Sequence, residues 1–175
     1  LQIIDRELGR RLEDFAAEGG IVVFTFRAGI KDKNNNINFK EIIPCNVRTM
    51  AGIELREIES LQPGQEVEIV GKGRFQGKTG MCELWMELII STNAETIYKY
   101  NDKFYVDNAC ITLNKHGDGK VYYIGGGVDI DTIQNIADEI ILQNKIKTRL
   151  GKKYTIYPKK KDDQYVQSRN YLFNY

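Results

Sequence analysis

Histidine is nearly absent from this chain of 175 residues: His116 is the only one, and there are three cysteines, three prolines and a single tryptophan, Trp85. Cysteine or serine nucleophiles activated by a histidine base would all depend on His116, and no G-x-C-x-G or G-x-S-x-G elbow occurs. Metal binding needs several convergent ligands, whereas His116 with Asp118, or Asp129 with Asp131, offers only short pairs. Cys45, Cys82 and Cys110 are odd in number and too widely spaced for a C-x-x-C pair, so reduced thiols in a cytoplasmic protein are expected. The longest apolar run, Ile21 to Phe26, falls far short of the roughly 18 residues of a membrane helix. Charge of one sign is lacking too. With 25 Lys and Arg against 24 Asp and Glu, the net charge of +1 gives no excess to neutralise nucleic-acid phosphates. Nor is there room for a (β/α)₈ barrel, which takes about 250 residues.

What is present is 42% hydrophobic and 28% charged, the composition of a folded core under a polar surface. Asp5 is placed to cap a helix in which Leu8, Leu12, Phe15 and Ala16 recur on an inward face. Gly19 and Gly20 end that helix, and the unbroken run Ile21–Phe26 predicts a strand buried on both faces, as in a parallel α/β sheet. Residues 27–44 read as a long surface loop, Val67 to Val70 as a short strand, and Gly71 to Gly80 as a second glycine-rich segment. Strict alternation through Glu83–Ile90 predicts Leu84, Met86 and Leu88 on the core face and Glu83, Trp85 and Glu87 on a wet one. A large aromatic on a wet face marks a contact surface, so Trp85 is the candidate interface residue, against a fold in which a loop such as 27–44 or 71–80 covers it. Residues from Tyr105 to Leu113 and from Lys120 to Ile124 predict a hairpin around Asn114–Gly119, with His116 in its turn. A second amphipathic helix follows from Ile130 to near Lys147, capped by Asp129 or Asp131. Gly125–Gly127 precedes it without the Lys-Ser/Thr of a P-loop or full G-x-G-x-x-G spacing, so a tight turn is a better account than an anion cradle.

In order, the motifs resemble the middle domain of glycoside hydrolase family 42, the β-galactosidases. The resemblance runs through Asp5-Arg6-Glu7-Leu8, Glu18-Gly19-Gly20-Ile21-Val22, Arg27-Ala28-Gly29-Ile30-Lys31-Asp32 with Asn34 and Asn35, and Pro44. It continues in Ala51-Gly52-Ile53 with Glu57, Trp85 and Glu87, Ala94-Glu95 with Tyr98 and Tyr100, Ile111–Asn114 and Gly117–Gly125. Two departures are the absence of a first strand and helix ahead of Leu1, and Cys45 where the family usually has glycine after proline.

The resemblance implies an α/β fold like flavodoxin or the class I glutamine amidotransferases, in three layers, truncated at its N-terminus and lacking catalytic residues. Residues 1–150 would form this trimerisation domain, and 151–175, tyrosine-rich, the start of a C-terminal β domain. The chain then reads as a fragment of a parent that hydrolyses terminal β-galactosides with retention, its carboxylates in a preceding barrel. The family's acid follows an asparagine, and no Asn-Glu dipeptide occurs here, so no catalytic, cofactor or metal residue is carried over. The implied partners are the parent's own barrel and β domain and further copies in a trimer, with galactoside for the parent only, no nucleic acid and no membrane. Two alternatives are a free-standing amidotransferase-like module holding a small ligand near Gly125–Gly127, and a carbohydrate-binding module using Trp85 and the C-terminal tyrosines.

Overall fold

The computed structural model describes residues 1–37, 41–105 and 108–143, with the backbone of four short strands beyond them. The chain divides into two compact units, Leu1–Thr132 and Ile133–Tyr175. The first opens with helix α1 (Arg6–Ala17), where the Leu8 N–H donates to Asp5 Oδ1 at 2.8 Å, so Asp5 is the cap. Ala16 is buried and Leu8 and Leu12 are half-buried, but Phe15 is 54% exposed. The inward face is therefore narrower than the spacing suggests. Phe15 instead lies over Gly20, where a Cβ would sit 2.3 Å from its ring.

Strand β1 (Ile21–Thr25) follows, then a short helix α2 (Arg48–Ala51), β2 (Ile53–Ser60), β3 (Glu66–Gly71), a 3₁₀ turn (Gly73–Phe75), the long β4 (Thr79–Ser91) and β5 (Glu95–Tyr100). A hairpin of β6 (Ala109–His116) and β7 (Gly119–Ile124) leads into β8 (Gly126–Val128) and helix α3 (Ile130–Gln143). Asp129 caps α3, its Oδ1 accepting the Thr132 N–H at 2.7 Å. These eight strands form one sheet in the order β1-β7-β6-β5-β3-β4-β2, with β8 on β4. An additional pairing of β6 with β4 makes β4, β3, β5 and β6 a closed circuit.

This is not the three-layer, flavodoxin-like or amidotransferase-like fold that the sequence resemblance implies. β1 and β7 are the only parallel pair among the described strands; every other pairing is antiparallel. A doubly wound fold joins parallel neighbours through helical crossovers. Here the connection from β1 to β7 contains β2 to β6, most of the sheet itself. β1 is not buried on both faces either: Val22 and Phe24 point into the core while Val23 is 45% exposed. α1 and α2 share one core with this sheet through Ala16, Met50, Ala51, Val22, Phe24, Val121 and Tyr123.

Loop 27–44 is surface only in part. Ala28 and Ile30 belong to the core, whereas Lys33 to Asn36 are exposed. Within residues 71–80, Phe75 is buried with its ring 5.2 Å from Tyr98. In the second unit, β9 (Thr155–Ile156) pairs with β12 (Leu172–Phe173), and β10 (Lys160–Lys161) with β11 (Gln164–Tyr165). The end of the second helix expected near Lys147 and most of 151–175 lie outside the described residues.

Candidate functional site

β4 carries the site because its alternation breaks. Glu83 pairs with Gly127 and Met86 with Gly126, so Leu84 and Trp85 are inserted residues opposite no partner on β8. A bulge of this kind re-aims the side chains beyond it. Leu84 takes φ 63° and stands 65% exposed, while Met86 and Glu87 are both fully buried. The expected parity fails here: Leu84 leaves the core face and Glu87 joins it, and Trp85 is half-buried rather than open.

Glycine permits the close fit on the β8 side. A Cβ on Gly126 would lie 2.4 Å from Cys82 Sγ, and one on Gly127 would lie 2.4 Å from the Glu83 carbonyl oxygen. The Gly125 N–H donates to the Cys110 carbonyl at 2.8 Å, and the Gly125 carbonyl accepts from the Glu87 N–H at 2.7 Å. These groups are committed to the sheet. Gly125–Gly127 is thus neither an anion cradle nor a simple turn but the approach to, and the body of, β8.

Phe26 and Arg27, at the end of β1, fold over Trp85. The Phe26 and indole rings stack at 6.5 Å and 30°, and the Arg27 guanidinium carbon lies 4.7 Å from the indole centroid. Such a cation–π contact contributes about 0.5–1 kcal/mol at an exposed site and more where water is excluded. Arg27 has φ 65°, so both residues flanking the indole, Arg27 and Leu84, hold left-handed backbone that disfavours their side chains. The other two non-glycine residues in this region are Asn35 and Asn46, a type that tolerates it. Strained backbone of this kind clusters at sites that bind or switch.

Beneath the indole, Glu87 holds the arrangement together. Its Oε1 accepts the Arg27 backbone N–H at 2.7 Å and Trp85 Nε1–H at 3.3 Å, and its Oε2 accepts the Tyr123 hydroxyl at 2.8 Å. The Tyr100 hydroxyl donates to the Glu87 carbonyl at 3.1 Å. Burial raises the Glu87 carboxyl above its ordinary value of 4.5; the three hydrogen bonds and the Arg27 charge pull the other way without cancelling it. Burial also pushes the Tyr100 and Tyr123 hydroxyls up. Cys82 and Cys110, distant in sequence, meet in this region as buried free thiols: the Cys110 thiol lowers Cys82, while burial raises Cys110. His116 stands apart, at the end of β6, with Nε2 3.5 Å from Glu13 Oε1.

Sequence reasoning singled out Trp85 and offered loop 27–44, which opens with Arg27, as a cover for it; it missed Glu87 as a structural hub. A signal existed in Gly125–Gly127, whose three missing side chains mark a strand that must approach another backbone closely.

The family model for the β-galactosidase trimerisation domain matches residues 1–147. The chain belongs to that family. Among the trimerisation domain's curated relatives, β-galactosidase BgaA of Clostridium cellulovorans is 30% identical over 146 residues, covering 83% of this chain and 21% of the relative. β-Galactosidase Pbg of Clostridium perfringens is 32% identical over 128 residues, 71% of this chain and 18% of the relative. Among solved structures, the β-galactosidase from Bacillus circulans sp. alkalophilus superposes with a TM-score of 0.78 at 29% identity, covering 83% of this chain and 22% of that one. This trimerisation domain spans about a fifth of the length of the curated relatives it matches. No helix among the described residues is long and apolar enough to cross a membrane.

Proposed function

We propose that this trimerisation domain is the assembly piece of a cytoplasmic β-galactosidase, in which it joins copies of the parent into a trimer and takes no part in bond cleavage. The parent would hydrolyse terminal β-galactosides with retention, using carboxylates in a barrel outside this chain. Residues 1–150 would be the trimerisation domain and 151–175 the opening of a β domain that follows it. The observation that carries the contact reading is the Trp85 platform. A strained, exposed Leu84 stands beside an indole clamped between Arg27 and Glu87, an anchor of the aromatic and arginine type that dominates interfaces.

In the full-length enzyme carrying this domain, Leu84→Asp places a charge on that surface without touching the core. Sedimentation velocity should show trimer falling to smaller species, with the far-ultraviolet circular dichroism unchanged. A trimer of undiminished stability in the variant overturns Trp85 and Leu84 as the contact.

A further inference from the structure

Glu87 is a fully buried carboxylate that touches two parts of the platform at once, the Arg27 main chain and the indole nitrogen. Its reach explains how the left-handed Arg27 and the half-buried Trp85 keep one geometry. We propose that Glu87 is the positioning residue of the Trp85 surface, gripping Arg27 and Trp85 as a carboxylate and releasing them when it takes up a proton. The proposal rests on the reading of that surface as a contact between copies, and it adds the regulation of that contact.

The chemistry follows from counting donors. As a carboxylate, Glu87 has only acceptors, and all three neighbours donate to it. Proton uptake from water turns one oxygen into a donor. Tyr123 can rotate to accept that proton, since a hydroxyl serves either way, but the Arg27 and Trp85 N–H groups cannot. Their hydrogen bonds lose charge assistance, and such bonds are about twice as strong as neutral ones. The Arg27 guanidinium loses a nearby counter-charge, and its Nε is already buried with no hydrogen-bond partner.

The charged and titratable groups facing Glu87 are Arg27 at the end of β1, Tyr123 on β7, Tyr100 on β5 and Cys110 on β6, with the Cys82 thiol beyond them against Cys110 and Tyr100. On β2 its register partner is Ile58, flanked by Glu57 and Glu59. Tyr100, Tyr123 and Cys110 stay protonated through the acid-to-neutral range because burial raises each. Glu87 is the buried carboxylate in this group, and the same burial raises it above its ordinary value.

Trp85 is the chain's only tryptophan, so its fluorescence reports the platform directly. The test is acrylamide quenching of the 175-residue chain from pH 8 down to about 4.5, with circular dichroism confirming that the fold persists. A neutral quencher avoids attraction to Arg27. Quenching should rise sigmoidally as pH falls, with a midpoint above the ordinary glutamate value of 4.5. Glu87→Gln should be flat, already open at pH 8. Tyr123→Phe, which keeps the ring and deletes one donor to the carboxylate, should move the midpoint to higher pH. A purely structural role for Tyr123 predicts no such shift. The proposal is overturned if wild-type quenching is flat, if Glu87→Gln keeps the transition, or if Tyr123→Phe leaves the midpoint in place. Failure of the contact reading shows separately, as an unchanged trimer in Leu84→Asp with the quenching transition intact.

Discussion

At the scale of the residue, Glu87 shows how one buried charge couples surface geometry to stability. A carboxyl whose value is raised on folding binds its proton more tightly in the native than in the unfolded state. Between the unfolded value and the raised folded one the native state holds more protons, so stability is greatest below the unfolded value and falls as pH rises through that window. Glu87→Gln removes this contribution, because the amide stays neutral and buried without a charge to desolvate. Urea melts of wild type and variant should diverge as pH rises above the ordinary glutamate value of 4.5, with the variant's stability the flatter. A wild type that gains stability over the same interval relative to the variant would show that the hydrogen bonds outweigh burial and reverse the sign. There is no conflict with the tighter grip of the carboxylate: its hydrogen bonds fix Arg27 and Trp85 locally, while desolvating the charge that makes those bonds outweighs them in global stability. From sequence, Trp85 stands out as a candidate because it is a lone tryptophan between two glutamates. Glu87 does not, since alternation counted from Glu83 reaches the wrong face once a bulge adds residues.

At the scale of the element, legibility followed local chemistry. Helix α1 was readable because its start depends on one side chain: Asp5 accepts the Leu8 N–H, and Gly19 with φ 101° turns the chain at the other end. Asp5→Ala should cost about 1 kcal/mol, the usual magnitude for a lost N-cap. Leu12 is half-buried against the core, so Leu12→Ala should cost about 1.5–2 kcal/mol, at or below the lower end for a fully buried leucine. Denaturant melts should rank Leu12 above Asp5. The reverse order would mean that the helix is held by its cap more than by its packing. The β6–β7 hairpin was readable for the same reason, its reversal resting on Gly117 at φ 58° between the paired His116 and Gly119. Strands β2 and β5 escaped notice. The sequence Ile53-Glu54-Leu55-Arg56-Glu57-Ile58 is too charged to look like a sheet interior, and it is a strand because it lies along β4 with a register shift between Leu55 and Glu57.

At the scale of the whole molecule, the family resemblance and the unbroken apolar run Ile21–Phe26 pointed to a three-layer α/β sheet, and the long-range pairing overruled both. Which strand neighbours which is set by contacts far apart in sequence, such as β1 beside β7, and a single sequence carries little of that information. Function was more legible than topology because the ordered motifs mark a family even where the fold expected from them is wrong. A buried carboxyl raised above its usual value is the signature of a general acid, and Glu87 invites that reading. Geometry argues otherwise. Its oxygens are occupied by Arg27, Trp85 and Tyr123, and it is fully buried, whereas a glycosidase needs its acid and a second carboxylate about 5–10 Å apart across a cleft that admits a sugar. The 175-residue chain should therefore give no turnover of a chromogenic β-galactoside above the buffer blank. Turnover that survives repurification and disappears in Glu87→Gln would make Glu87 a catalytic residue and place the active site in this domain. Turnover untouched by that substitution, but lost when another carboxylate here is changed to its amide, would equally end the assignment of this piece to assembly alone.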